Sequence, residues 1–306
     1  MDNHRVWLID GSIYIFRAWF AMPDHWYTKS GRPVQAVYGY TRFLLDLLDS
    51  VGTEIYAAVA FDQSLGTNFR NDIYPDYKVS RELPDEDLAF QLEACRSVTE
   101  MMGFKCFAGP RFEADDYLAS LAKLARDKGF AVTVVTRDKD LGQLVLGEAD
   151  EWWDFASGQR LDRNALFEKF GVWPEQMADY LALVGDPVDD VPGVPGVGPK
   201  TASTLLRAFG DLSGLHTSLP EVAGLSLRGA AGLAAKLENH WPQVSLSRRL
   251  TGLEQNVPAI KRLTSVPGLS VRAECLEALS AFLSELNIGG PLRRRCEKMA
   301  LELAAT

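Results

Sequence analysis

The stretch FAVTVVTRDKDLGQL, residues 130–144, is an apolar, β-branched run that stops at two closely spaced aspartates, Asp138 and Asp140. A run of this kind without polar alternation suits a strand buried on both faces, as in a parallel sheet. Two more runs repeat the plan: RVWLI ends at Asp10 and IYAAVAF at Asp62. Helical patterns separate them. VQAVYGYTRFLLDLLDSV stops near Gly52, LAFQLEACRSVTEMMGF at Gly103 and EADDYLASLAKLARDKGF at Gly129, glycine being a common residue just past a helix end. Strands alternating with helices predict an α/β domain with a mainly parallel sheet. EWWDFASGQRLD reads as a hairpin turning at Ser157-Gly158, with its tryptophans serving packing.

From Pro174 the pattern is helical. Pro174 suits the first position of the helix PEQMADYLALVG, and a Gly/Pro-rich loop then leads into KTASTLLRAFG. The expected layout is a sheet domain over 1–173 with an arch at about 68–92, a helical domain over 174–290 and a tail over 291–306.

The chain has 306 residues, 47% apolar and 24% charged, which fits a soluble protein of two domains. It has no apolar run of about 18 residues, so no membrane span is expected, and MDNHRVWLIDGS is not a secretory signal. A cytoplasmic monomer is expected. Cys95, Cys106, Cys275 and Cys296 are far apart and the four histidines are scattered, which argues against zinc and against a disulfide frame. The net charge of −9 alone argues against a nucleic-acid binder. Its distribution does not, because residues 200–262 hold eight Lys/Arg and four Asp/Glu.

Parallel sheets bind ligands beyond the carboxyl ends of their strands. Asp10, Asp62 and Asp138 would gather there, joined by Asp140, by Glu113, Asp115 and Asp116 of RFEADDYLA, and by Asp186 and Asp189 of VGDPVDDVPGVPGVGPKTA (184–202). Carboxylates this crowded repel and stay ionised only beside cations. All-oxygen donors suit magnesium or manganese, and two such ions about 4 Å apart are a common device for phosphodiester hydrolysis. Singly, the same residues also read as helix-start charges (Glu113, Asp115, Asp116) or as an N-cap (Asp140). The joint pattern favours the metal reading. Asp190 is left out of the ligand set.

NFRNDIYPDYKVSR (68–81) interleaves Phe69, Arg70, Tyr74, Tyr77, Lys78 and Arg81. Such a segment can stack bases and hold phosphates, or be a solvated loop with its rings tucked in. Arg17 is either a phosphate contact or a surface charge. In GVPGVGPKTA, Gly193, Gly196 and Gly198 permit close backbone approach, and the helix start with Lys200 and Thr201 favours an anion such as a DNA phosphate. The spacing is not that of a Walker A loop, and a plain interdomain turn is the other reading.

LIDGS, AVAFD, FRNDIYPDYKVSR, FEADDYLA, TRDKDLGQLV and LVGDPVDDVPGVPGVGPKTA occur in the order found in 5′ nucleases. The chain resembles the 5′–3′ exonuclease domain of bacterial DNA polymerase I and the flap endonucleases, from Leu8 to Ala202 and weakly to about residue 290. The resemblance implies a PIN-like α/β nuclease with a helix-three-turn-helix DNA-binding domain. It implies a first metal group of Asp10, Asp62, Glu113, Asp115 and Asp116 and a second of Asp138, Asp140, Asp186 and Asp189. Lys78 and Arg81 match the basic pair of a helical arch at the scissile phosphate, Tyr77 an arch aromatic, Arg17 an active-site arginine. Arg70 is a further candidate DNA contact. The glycine loop matches a duplex-gripping hairpin, often with a potassium ion. The implied partner is DNA with a 5′ flap or 5′ end, cut to a 5′-phosphate and a 3′-hydroxyl in replication or repair. The family usually ends its second acidic motif in Ser-Asp-Asn, where this chain has Val188-Asp189-Asp190, and Pro187 stiffens that loop. A stand-alone nuclease without a polymerase module is the expected form. A PIN-type ribonuclease and a non-catalytic DNA-junction binder are the competing readings.

Overall fold

The computed structural model describes residues 4–23, 25–63, 66–227, 229–272 and 276–304. Six strands form one sheet in the order β3-β2-β1-β4-β5-β6: β1 (Arg5–Asp10), β2 (Tyr56–Ala60), β3 (Lys105–Phe107), β4 (Ala131–Val135), β5 (Glu151–Asp154) and β6 (Gln159–Leu161). β1 to β5 run parallel, and β6 returns antiparallel on β5. The chain builds outward from β1 on one side and then crosses to β4 on its other side. Beside β1, therefore, the strand order reverses, the place where such sheets open a crevice.

The strand runs lack a polar face because helices cover both sides. Val6, Leu8, Ala58, Ala60, Val132 and Val134 pack with Leu118, Leu121 and Ala122 of α5 (Ala114–Asp127). Ile9, Ala57, Val59 and Val135 face α1 (Gly11–Ala21), α2 (Gln35–Val51) and α4 (Glu86–Met101). Each fully buried leucine in these layers contributes about 1.5–3 kcal/mol. The short α3 (Phe69–Ile73) precedes α4, and α6 (Arg163–Phe170) follows the hairpin.

Pro174 opens a three-residue 3-10 turn that runs into α7 (Met177–Val184), so the predicted single helix is split. α8 (Pro199–Phe209), α9 (Leu212–Thr217) and α10 (Ala230–Thr251) join α7 around a core that includes Leu181, Leu205, Leu206 and Leu237. The chain then returns to the sheet. Val257, Ile260 of α11 (Pro258–Lys261), Val266 and Leu269 cover α5. Gly103, with φ 87°, lets this returning segment pass, since a Cβ there would lie 1.9 Å from the Arg272 carbonyl oxygen. α12 (Leu276–Glu285) and α13 (Pro291–Ala304) add Leu279, Leu283, Leu292 and Cys296 to the α2 side. Residues 291–304, expected as a tail, are thus a helix. Leu292, Cys296 and Met299 recur at helical spacing on one buried stripe, and Arg295 reaches Asp46 and Asp49, both at 2.7 Å.

Cys95, Cys106 and Cys296 are free thiols whose pKa burial raises; Cys275 lies outside the described residues. Among the described residues no helix is long and apolar enough to cross a membrane.

Candidate active site

The register of the sheet brings the acids together. Asp10 lies level with Ala60, and Ile9 with Val135. Asp62 follows β2 and Asp138 follows β4 by a few residues, so three strand ends deliver aspartates to one edge beside β1. Two hydroxyls tie them. Thr136 Oγ1 donates to Asp10 Oδ2 and accepts from the Asp138 amide, both at 2.9 Å. Ser12 Oγ accepts from the Asp62 amide at 2.8 Å. Asp62 Oδ1 in turn accepts from the Ala114 amide at 2.9 Å, which docks the start of α5 on the same edge. Asp138 Oδ1 accepts from the Asp140 amide at 2.9 Å, and Asp140, expected as an N-cap, is instead the first residue of a 3-10 turn that has no side-chain cap.

Two electrostatic groups result. Burial raises Asp10 to about 7, helped by Asp62 and Asp138. Burial and Asp138 raise Asp140 to about 7 as well. Asp115 and Asp138 shift upward for the same reason, burial first and neighbouring aspartates after it. Among the described residues no cation fully offsets the burial of this group. In the second group the chain supplies the cations. Burial would push Glu113 up, but Lys78 and Arg70 more than offset it and hold it low. Lys78 Nζ lies 2.5 Å from Glu113 and 3.4 Å from Asp189, and Arg81 lies 2.5 Å from Asp189. Lys139 Nζ lies 2.9 Å from Asp186 and 3.4 Å from Asp140.

Three expected site residues lie elsewhere in their chemistry. Arg70 is only 1% exposed. Its guanidinium forks onto Asp116 at 2.7 and 2.8 Å and also donates to the carbonyls of Leu250 and Gly252. A buried arginine needs this full set of partners, so Arg70 is a brace between α3, α5 and the end of α10, not a surface DNA contact. Both Asp116 oxygens are taken by Arg70 and by the amides of Glu113 and Glu254, which removes Asp116 from the free carboxylates. Tyr77 is 4% exposed and its hydroxyl donates to Glu113 at 2.9 Å, so its ring is no stacking platform. The arch is not helical around Lys78 either. Pro75 follows the extended Tyr74, and Lys78 has φ 56°, so residues 75–80 fold as turns laid on the acidic edge. Arg17 is exposed on α1.

Among the described residues no three His, Cys, Asp or Glu side chains converge as a ready-made metal cage. The ion pairs explain this, since Lys78, Arg81, Lys139 and Arg70 hold Glu113, Asp189, Asp186 and Asp116. The donor set nevertheless fits a hard divalent cation. It is all oxygen, its unpaired members carry raised pKa values, and Asp140 Oδ1 is buried with no hydrogen-bond partner.

The glycine loop divides into two parts. Gly193 is packed by its own chain, because a Cβ there would meet the Val184 carbonyl oxygen at 2.1 Å. Gln243 and Ser247 of α10 hold the carbonyls of Gly193 and Pro192 at 2.6 and 2.5 Å. Gly196 has φ 78°, and Gly198 opens α8 into free space with no side-chain cap. The first amides of α8, with the exposed Lys200 and the half-buried Thr201, remain available to an anion.

Thr136, Ser12 and Lys139 were missed by the sequence reading. Their signal is adjacency: each sits one or two residues from a strand-end or loop aspartate.

Comparisons with known proteins converge on one group. Residues 5–171 match the family described as 5′–3′ exonuclease, N-terminal resolvase-like domain, and residues 172–271 match 5′–3′ exonuclease, C-terminal SAM fold. DNA polymerase I of Pseudomonas aeruginosa is 39% identical over 288 residues, 94% of this chain and 31% of that protein. The thermostable DNA polymerase I of Thermus thermophilus is 36% identical over 288 residues, 94% and 32% of the two chains. The chain thus spans about a third of the length of these curated relatives. Among solved structures, T5 5′-exonuclease with bound zinc superposes with a TM-score of 0.65 at 19% identity, covering 98% of this chain and 99% of that one. The catalytic core of Rad2 in complex with DNA substrate gives 0.59 at 18%, covering 98% and 92%.

Proposed function

The chain belongs to the 5′–3′ exonuclease family, in both its resolvase-like and its SAM-fold parts, and from that premise we propose that it is a divalent-metal-dependent, structure-selective 5′ nuclease. It hydrolyses DNA near a 5′ flap or 5′ end: water adds to phosphorus, the bond to the 3′ oxygen breaks, and a 5′-phosphate and a 3′-hydroxyl remain. The observation that carries this reading is the set of buried Asp10 with half-buried Asp115, Asp138 and Asp140, whose mutual repulsion and burial raise their pKa values without full neutralisation by the chain's own cations.

Asp10, Asp62, Glu113 and Asp115 would hold one ion, and Asp138, Asp140, Asp186 and Asp189 the other. When bound, magnesium or manganese supplies an ionised water and positive charge at the phosphoryl oxygens. Lys78 and Arg81 place two further cations beside this edge for the scissile phosphate. Arg17 offers a third from α1. The α8 amides with Lys200 and Thr201 take a duplex phosphate, which fixes position without reading sequence, and a potassium ion at Gly196–Gly198 would serve the same grip. The proposed setting is a cytoplasmic monomer in replication or repair. DNA complexes with metal ions of a T5 flap endonuclease and of the Rad2 core with DNA substrate support this choice of partner.

The test is cleavage of a 5′-labelled flap duplex in magnesium, in manganese and in chelator. Cutting at the junction only with metal is the expected result. One observation favours a second reading, a non-catalytic junction binder: Glu113 and Asp189 are already paired with Lys78 and Arg81. Tight junction binding with no cutting in any metal would establish that reading instead.

A further inference from the structure

Asp189 and Asp190 are adjacent carboxylates with different partners. Asp189 faces the acidic edge, where Lys78 and Arg81 pair with it. Asp190 holds the neighbouring residue of the same turn: its Oδ2 accepts from the Ser80 amide at 2.9 Å and from Ser80 Oγ at 2.8 Å. Beside them the Lys78 amide donates to the Asp189 carbonyl at 3.0 Å. Both turns adopt a left-handed residue at the join, Lys78 with φ 56° and Asp190 with φ 55°. Aspartate tolerates that region, whereas lysine enters it only where surroundings hold it.

The proximal half of the basic turn has other anchors. Tyr77 is buried against Val191 and Leu250, and Asn71 Nδ2 donates to the Tyr77 carbonyl at 2.9 Å. The distal half has none of these. Val79 and Leu83 are 67% and 75% exposed, and residues 81–85 have no regular structure. Among the described residues, the hydrogen bonds and ion pairs from 79–83 to other segments are Ser80 to Asp190 and Arg81 to Asp189.

We propose that Asp190 is a positioning residue: through Ser80 it latches the distal half of the basic turn to the acidic loop and so keeps Arg81 at the reaction site. This rests on the nuclease reading. If Asp189 serves as a metal ligand, its pairing with Arg81 competes with that role, and the turn needs a tie that does not use a ligand. Asp190 provides it one residue along. Asparagine at this position would keep an oxygen able to accept from Ser80, so Asp190→Asn separates hydrogen bonding from charge.

The test uses Asp190→Ala, Asp190→Asn and Ser80→Ala in the full chain. In metal-free protein, trypsin cleavage after Lys78 and Arg81, followed by mass spectrometry, should rise about tenfold in Asp190→Ala, about threefold in Ser80→Ala, and stay at wild type in Asp190→Asn. Single-turnover cutting of a bound 5′ flap should fall about tenfold in Asp190→Ala at unchanged flap affinity, with recovery in Asp190→Asn. Wild-type trypsin cleavage in Asp190→Ala overturns the latch, as does an Asp190→Asn variant as damaged as the alanine. A wild-type protein that cuts no flap overturns the nuclease reading alone, since the trypsin arm still decides the latch.

Discussion

The start of α5 and the ends of β1 and β4 carry the same residue types within one site, yet they are neutralised by different means. At α5, Glu113 and Asp116 are held by Arg70 and Lys78 as tight, buried ion pairs. At the strand ends, Asp10 has only hydrogen-bond donors and Asp140 only the distant Lys139 at 3.4 Å, and burial with neighbouring aspartates raises both pKa values to about 7. Asp116, whose two oxygens are filled by Arg70 and backbone amides, belongs to the folded scaffold, and Glu113, which shares Lys78, stands at its border. A carboxylate whose charge the chain offsets only in part is open to a stronger cation. The contrast separates the acids that shape the site from those that can act in it.

Breaking the scaffold side should cost most. Arg70→Ala leaves Asp116 buried and unpaired and should lower stability by about 3–5 kcal/mol in urea unfolding; a loss under about 1 kcal/mol would erase the distinction between the two groups. On the other side, Asp138→Asn should reduce flap cleavage at least a hundredfold, about 2.7 kcal/mol, with DNA affinity kept. The same change should raise the thermal midpoint of metal-free protein by about 2 °C, because it removes a repelling charge. A lower midpoint would mean that Asp138 is scaffold too.

Lys78→Ala sharpens the comparison at the border between the groups. Glu113 and Asp189 lose a competing cation, so manganese binding to DNA-free protein, followed by calorimetry, should tighten severalfold while single-turnover cleavage slows about tenfold. Unchanged or weaker manganese binding would remove Lys78 from its role as internal counter-ion. The smallest effect is in pH. Asp10 and Asp140 bind protons more tightly folded than unfolded, so their contribution is full below about pH 4 and is lost as pH rises through about 7. Glu113 has the opposite sign, and its contribution is already full above about pH 5. Between pH 5.5 and 8 the metal-free midpoint should therefore fall by a few degrees, and manganese should flatten the slope. A midpoint that rises across this window would contradict the raised values.

Much of this was legible in the sequence, because strands covered on both faces must be continuously apolar, and the aspartates after β1, β2 and β4 needed only a parallel register to meet. The side-chain partners were not legible. Asp115 and Asp116 are neighbours on a helix, and only the phase of α5 sends one to the strand ends and the other to Arg70. Arg70 reads as a surface cation because the short α3 is too brief to show a periodicity, and its partners lie far off in sequence. Gly193 has the signature of ligand approach, yet what approaches it is the carbonyl of Val184. The apolar stripe of α13 marks a helix but not the α2 layer that receives it.

The loop from Asp186 to Gly193 is closed at its base by paired backbone hydrogen bonds between Asp186 and Val191, both 2.9 Å, and is pinned from behind by α10. It joins the acids of the site to the start of α8 through a few residues of fixed backbone. Under the nuclease reading proposed above, this would make the loop a ruler: a phosphate gripped at α8 and a phosphate cut at the acids would be set a constant number of nucleotides apart. On that reading, side chains on the outer surface would change how often the protein engages DNA, while the position of the cut would be graduated in the backbone.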